Sequence, residues 1–172
     1  MKHSSALPIA WVTLRILIIL NLLWGAAILA LLIATIVAEQ WTFAALGITN
    51  ASGIPAVTMG LRAVAALGIV AIFFNHVVLK RLAAIVVTVR KGDPFVAANA
   101  IRLNAVAWAL LALQLLSLVI AAIGKAISTA KLPINLDAGF STSGWLAVLL
   151  TFVLARVFAE GALMRDDLEG TV

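Results

Sequence analysis

The chain has 172 residues, 65% of them hydrophobic and only 11% charged, with a mean hydropathy of +1.19. A soluble domain carries roughly 25% charged residues, so a water-facing fold is excluded and lipid is the implied solvent. Cysteine is absent and histidine occurs only at His3 and His76, which removes thiolate chemistry and a histidine-cluster metal site, and no cofactor is expected. The net charge of +5 comes without aromatics interleaved at Lys80-Arg81 and without the motifs of nucleic-acid modules, so no direct nucleic-acid contact is expected.

Backbone groups in hydrocarbon must be satisfied internally, which leaves helices or a closed barrel. The apolar runs are continuous and close to the ~20 residues of a spanning helix, not alternating segments of about ten. The expected fold is all-α: one integral membrane domain over residues 1–172, a bundle of four transmembrane helices with both termini in the cytoplasm.

A weakly basic lead, 1–15, precedes the first span at about 16–38, broken only by Asn21 and Thr35. The run exceeds a signal-peptide core and ends in a poor cleavage site, so it reads as a retained span. Trp41 suits an interfacial aromatic belt. Gly47, Asn50, Ser52, Gly53 and Pro55 mark residues 39–56 as a loop. The second span is expected at about 57–79, with Arg62 near its outer end.

Lys80-Arg81 closes that apolar slab, but helical spacing persists. Leu82, Ile85, Val86 and Val89 fall on one face, and Arg81, Ala84, Thr88 and Lys91 on the other. The second helix is therefore expected to extend into the cytoplasm as an amphipathic segment within a connector spanning 80–102. Gly92-Asp93-Pro94 then offers a left-handed stop, an N-cap and a first helical residue in succession.

The third span is expected at about 103–123, with Ala105, Ala109 and Ala112 as a small-residue stripe permitting close approach. Residues 124–143 form a second outer loop. The fourth span, about 144–164, is short of apolar residues unless it includes Arg156 and Glu160 or begins near Phe140. Orientation follows from counting. Lys2, Arg15, Lys80, Arg81, Arg90, Lys91, Arg102 and Arg165 fall inside against Lys125 and Lys131 outside, eight against two.

Two polar constellations stand out. Arg156 and Glu160, four apart, share a helix face, and by depth Asn75 and His76 on the second span fall in the same leaflet, so the four are expected as an intramembrane polar cluster. The second constellation is a docking face: Lys80, Arg81, Arg90, Lys91, Asp93 and Arg102 of the connector beside Asp166, Asp167 and Glu169 of the tail. Opposite charges on one short face attract each other or the lipid surface. Serine-elbow, HExxH and phosphate-loop motifs are absent, so no enzymatic activity is expected.

The string GDPF at 92–95, then Asn99, Arg102-Leu103, Trp108 and LALQLL at 111–116, with Gly144-Trp145-Leu146 and LARVFAEGALMRDDLEGTV at 154–172, resembles the bacterial domain-of-unknown-function family 2975. The resemblance extends over essentially the whole chain and is specific in the connector and tail. Ala97 stands where the family suggests proline, and Asn104 where a basic residue is common. It implies a four-helix protein of the bacterial inner membrane, some relatives being encoded beside small helix-turn-helix transcription regulators. The expected function is a regulatory or scaffolding membrane protein whose connector and tail bind such a cytosolic regulator. The alternatives are an accessory subunit of a membrane complex using the alanine stripe, and a small transporter using His76, Arg156 and Glu160. The lipid bilayer is the first partner, and a second copy of the chain is a further candidate.

A chain without cysteine permits single-cysteine mapping. A Lys91→Cys variant in intact cells is expected to resist a membrane-impermeant maleimide, and Lys125→Cys to react. Labelling at position 91 from outside would reverse the orientation.

Overall fold

The computed structural model describes residues 6–45, 55–128 and 138–169. Every regular element among them is helical: α1 (Ala6–Val37), α2 (Glu39–Ala45), α3 (Pro55–Arg90), α4 (Ala97–Ile127) and α5 (Thr142–Glu169). Four of the five, all but α2, are long and apolar enough to cross a membrane, which points to a multi-pass membrane protein. At 1.5 Å per residue the 36-residue α3 is roughly 54 Å long. That exceeds a hydrocarbon core of ~30 Å.

Several boundaries differ from expectation. The lead is helical from Ala6, so α1 begins well before the apolar run. The expected loop 39–56 opens with the short helix α2, while the expected loop residues 46–54 and 129–137 lie outside the described residues. The second helix does continue past Lys80-Arg81, unbroken to Arg90. The fourth begins at Thr142, between the two starts considered, because the Ser141 side chain accepts the Gly144 N–H at 3.2 Å as an N-cap.

Packing divides the chain into two compact units. The first comprises Met1–Asn21, Phe74–Ala112 and Ser141–Val172, and so holds the start of α1, the end of α3, the start of α4 and all of α5. Its buried apolar side chains are small or branched: Ala100, Leu103, Val106, Ala107 and Ala109 on α4, and Val148, Ala155 and Ala162 on α5. The α5 set recurs every seven residues, one narrow stripe along the helix. Leu149, Leu150, Val153, Leu154 and Val157 between them are exposed. Of the predicted alanine stripe only Ala109 is buried, Ala105 and Ala112 being half-buried.

The second unit comprises Leu22–Phe73 and Leu113–Phe140. Its centre is Phe43 with Thr42, Val57, Thr58 and Thr35, all buried. The Thr42 hydroxyl lies 2.8 Å from the carbonyl of Ala38 and 3.0 Å from that of Ala34, binding α2 to the end of α1. Arg62 donates to the Thr35 carbonyl and, at 2.8 Å, to Glu39. A cation at a helix C-terminus complements the unsatisfied carbonyls and dipole there. Helices in this unit also touch closely at glycine: a Cβ on Gly25 would lie 2.8 Å from Ile72 Cγ2, and one on Gly60 2.5 Å from Ile127 Cγ2.

Gly60→Val is expected to destabilise the protein in detergent unfolding by about 1–3 kcal/mol through overpacking against the buried Ile127. Ile127→Ala clears that space. The double variant should therefore lose less than the sum of the two single variants, which a double-mutant cycle reads directly.

Candidate functional site

The connector is built from the end of α3. Its last carbonyls are closed by a glycine turn, with Gly92 at φ +83°. The Gly92 N–H meets the Val89 carbonyl at 3.0 Å, and the Asp93 N–H meets that of Thr88 at 3.2 Å. This is a Schellman closure, which requires a residue free to adopt a left-handed conformation. The expected stop at glycine is thus present. The expected restart is not: Asp93 is no N-cap and Pro94 no first helical residue, because α4 begins at Ala97.

Both residues are engaged elsewhere. The Asp93 carboxylate pairs with Arg165 of α5. The Pro94 carbonyl accepts from the side chain of Asn99 at 2.8 Å. Ala97 opens α4, a position that suits proline's fixed φ.

Asn99 is 0% exposed, and its amide is fully used. Its nitrogen donates to Thr88 Oγ1 on α3 at 2.7 Å and to the Pro94 carbonyl, while its oxygen accepts from Arg102 at 2.8 Å. Thr88 passes its own proton to the Ile85 carbonyl at 2.7 Å. A buried amide costs free energy unless its groups are paired, and here three chain segments meet to pair it. Phe95 completes the corner. Its ring centroid lies 5.2 Å from that of Phe158, and Gly161 leaves it room, since a Cβ there would lie 2.8 Å from the ring.

The predicted docking residues are therefore distributed unevenly. Lys80, Arg81, Arg90 and Lys91 are exposed, and none of them forms an ion pair among the described residues. Arg90 lies 6.0 Å from the Trp11 ring, and Arg15 lies 5.0 Å from the same ring. Arg102 is half-buried and held by Asn99. One ion pair joins connector and tail, and in it the connector supplies the acid and the tail the base. Asp167 is exposed, and the side chains of Asp166 and Glu169 lie outside the described residues.

The intramembrane residues do not share one site. Arg156 and Glu160 pair at 2.9 Å, with the Arg156 side chain 78% exposed. Arg156 lines a groove with Ala100, Asn104, Phe152 and Ala155. His76 lines a different groove, with Trp11, Arg15 and Lys80, and Asn75 is exposed. No hydrogen bond or ion pair among the described residues joins His76 to Arg156 or Glu160.

Residues not singled out from sequence include Thr88 and Asn99 as a bonded pair, Phe95 of the connector against Phe158 of α5, and Glu39 with Arg62. Glu39 was detectable in principle, being the sole acid before Asp93 and standing at the same end of the apolar runs as Arg62.

The corner thus engages each residue of GDPF: a turn, an ion pair, an accepted hydrogen bond and a ring contact. The family model described as "Protein of unknown function (DUF2975)" matches residues 43–172. The chain belongs to this family. The DUF2975 match takes in α3, α4 and α5 with the whole connector, and leaves out α1, so it is shorter than the whole-chain resemblance expected. Neither a curated protein nor a solved structure matches the chain.

Asn99→Ala strands the Pro94 carbonyl and the Arg102 guanidinium and should cost about 1–3 kcal/mol in detergent unfolding. Asp93→Asn, which weakens a partly exposed pair, should cost about 0–1 kcal/mol. An Asn99→Ala variant as stable as the parent would remove Asn99 from its place at the centre of the corner.

Proposed function

We propose that this protein is a multi-pass protein of the bacterial inner membrane that holds a soluble partner at its cytoplasmic face. The partner is a small helix-turn-helix transcription regulator with an acidic surface, and the contact is made by the connector between α3 and α4 together with the end of α5. One observation carries this reading: the connector spends Asp93, Pro94, Phe95 and Asn99 on its own fixation, while Arg81 and Lys91 beside it stay exposed with no ion pair among the described residues. A charged surface held in one conformation binds with less ordering cost than a mobile one.

The alternatives draw less support. A transporter needs inward polar groups, yet Arg156 and Glu160 stand at the surface paired with each other. An accessory subunit using the alanine stripe has Ala109 already buried within its own chain.

Affinity capture of the full-length protein from its own host, beside an Arg81→Ala/Lys91→Ala variant of equal helicity, tests the reading. A helix-turn-helix protein retained by the parent and lost from the variant is the expected result. The same membrane subunits in both captures would favour the accessory role instead.

A further inference from the structure

A groove of about 360 Å³ lies between α1 and α3 in the first unit. Trp11, Arg15 and Ile18 line it from α1, and His76, Lys80, Ala83, Ala84 and Val87 from α3. We propose that this groove binds the phosphate headgroup of an anionic phospholipid.

The charge argument comes first. Arg15 and Lys80 both border the groove, and the guanidinium of Arg90 reaches the same Trp11 ring that Arg15 covers. None of these cations has a carboxylate partner among the described residues. Their own helices cannot supply one, since α1 and α3 contain no aspartate or glutamate. Two to three cations gathered at one opening repel each other, and an anion relieves that repulsion. A guanidinium takes two phosphate oxygens at once, and an ammonium supplies a point charge beside it.

The rest of the lining selects for a lipid over a free ion. The floor is Ile18, Ala83, Ala84 and Val87, and the α1 residues that follow Arg15 include exposed Ile16, Leu17, Ile19 and Leu20. A soluble anion gains nothing from that surface. A phospholipid joins its phosphate covalently to chains that cover it. Basic pockets between membrane helices are suited to such headgroups, and an indole such as Trp11 prefers the headgroup level. His76 also lines the groove, and its Nδ1 is buried with no hydrogen-bond partner. The site goes beyond the docking face of the connector and does not rest on it, because its anchors are Arg15 and Lys80 whereas the partner test removes Arg81 and Lys91.

The test is native mass spectrometry of the purified full-length protein with an equimolar mixture of phosphatidylglycerol and phosphatidylcholine. The parent should retain phosphatidylglycerol in preference by on the order of ten-fold. Arg15→Gln/Lys80→Gln should bring the ratio near one, and Lys125→Gln, a change at an exposed lysine of α4 outside the groove, should leave it unchanged. Thermal unfolding gives the second readout: phosphatidylglycerol raises Tm in the parent and not in the double variant, while both unfold alike in phosphatidylcholine. If the double variant folds poorly, Arg15→Gln alone should reduce the preference in the same direction. No preference in the parent, or a preference that survives in a folded double variant, would overturn the proposal. Inorganic phosphate that reproduces the Tm rise and displaces the lipid would overturn it in favour of a free anion.

Discussion

The buried amide of Asn99 is the contact on which the connector depends. Its two protons and its carbonyl oxygen each reach a different segment: Thr88 on α3, Pro94 in the connector and Arg102 on α4. An amide away from water has no alternative partners, so each of these bonds is worth more than its exposed counterpart. With Pro94 fixed, Asp93 and Phe95 on either side are aimed, one at Arg165 and the other at Phe158 and Gly161 of α5. The aromatic contact and the hydrogen bonds carry most of the fixation, since the ion pair is partly exposed and screened.

Small residues do the joining elsewhere too. Lipid tails are as apolar as leucine, so burying a large apolar side chain between helices gains little, and close backbone approach gains more. The chain follows that logic at Gly25 against Ile72, at Gly60 against Ile127 and along the alanines of α4 and α5. Its large apolar side chains face outward instead, among them Leu22, Leu23, Trp24, Leu149 and Leu154. An exposed apolar surface of that extent suits lipid and not water.

This arrangement also explains which features were readable from sequence. The number of helices able to cross a membrane, the run of α3 to Arg90 and the turn at Gly92 depend on composition along the chain, and each is found. Facing is different. In water, the polar face of a helix announces which side is buried, but α1 is apolar all round, and its orientation about its own axis leaves no trace in the pattern. Depth alone placed His76, Arg156 and Glu160 together, whereas the structure puts His76 and Arg156 on different grooves, with Glu160 paired to Arg156. The same reason hid the partnership of Thr88 with Asn99, eleven residues apart across a turn. The early restart at Asp93-Pro94 failed for a more local cause. The capping signal is real, but Asp93 gains an arginine and Pro94 an amide proton by staying outside the helix.

The distribution of charge has its own consequence. Glu39, Asp93 and Glu160 are each paired with an arginine, Arg62, Arg165 and Arg156 respectively. Those pairs are short-range and leave little field beyond a Debye length of about 8–10 Å. Arg15, Lys80, Arg81, Arg90 and Lys91 are exposed without ion pairs among the described residues, and all belong to the first unit. The net positive charge of the protein is therefore concentrated there, on side chains whose helices carry no acid to offset them. A lipid phosphate held between Arg15 and Lys80 would neutralise part of that charge and leave Arg81 and Lys91 for an acidic protein surface. On these two proposals the occupants draw on different cations, so a bound lipid would tune the field that a partner meets without competing for the same contacts.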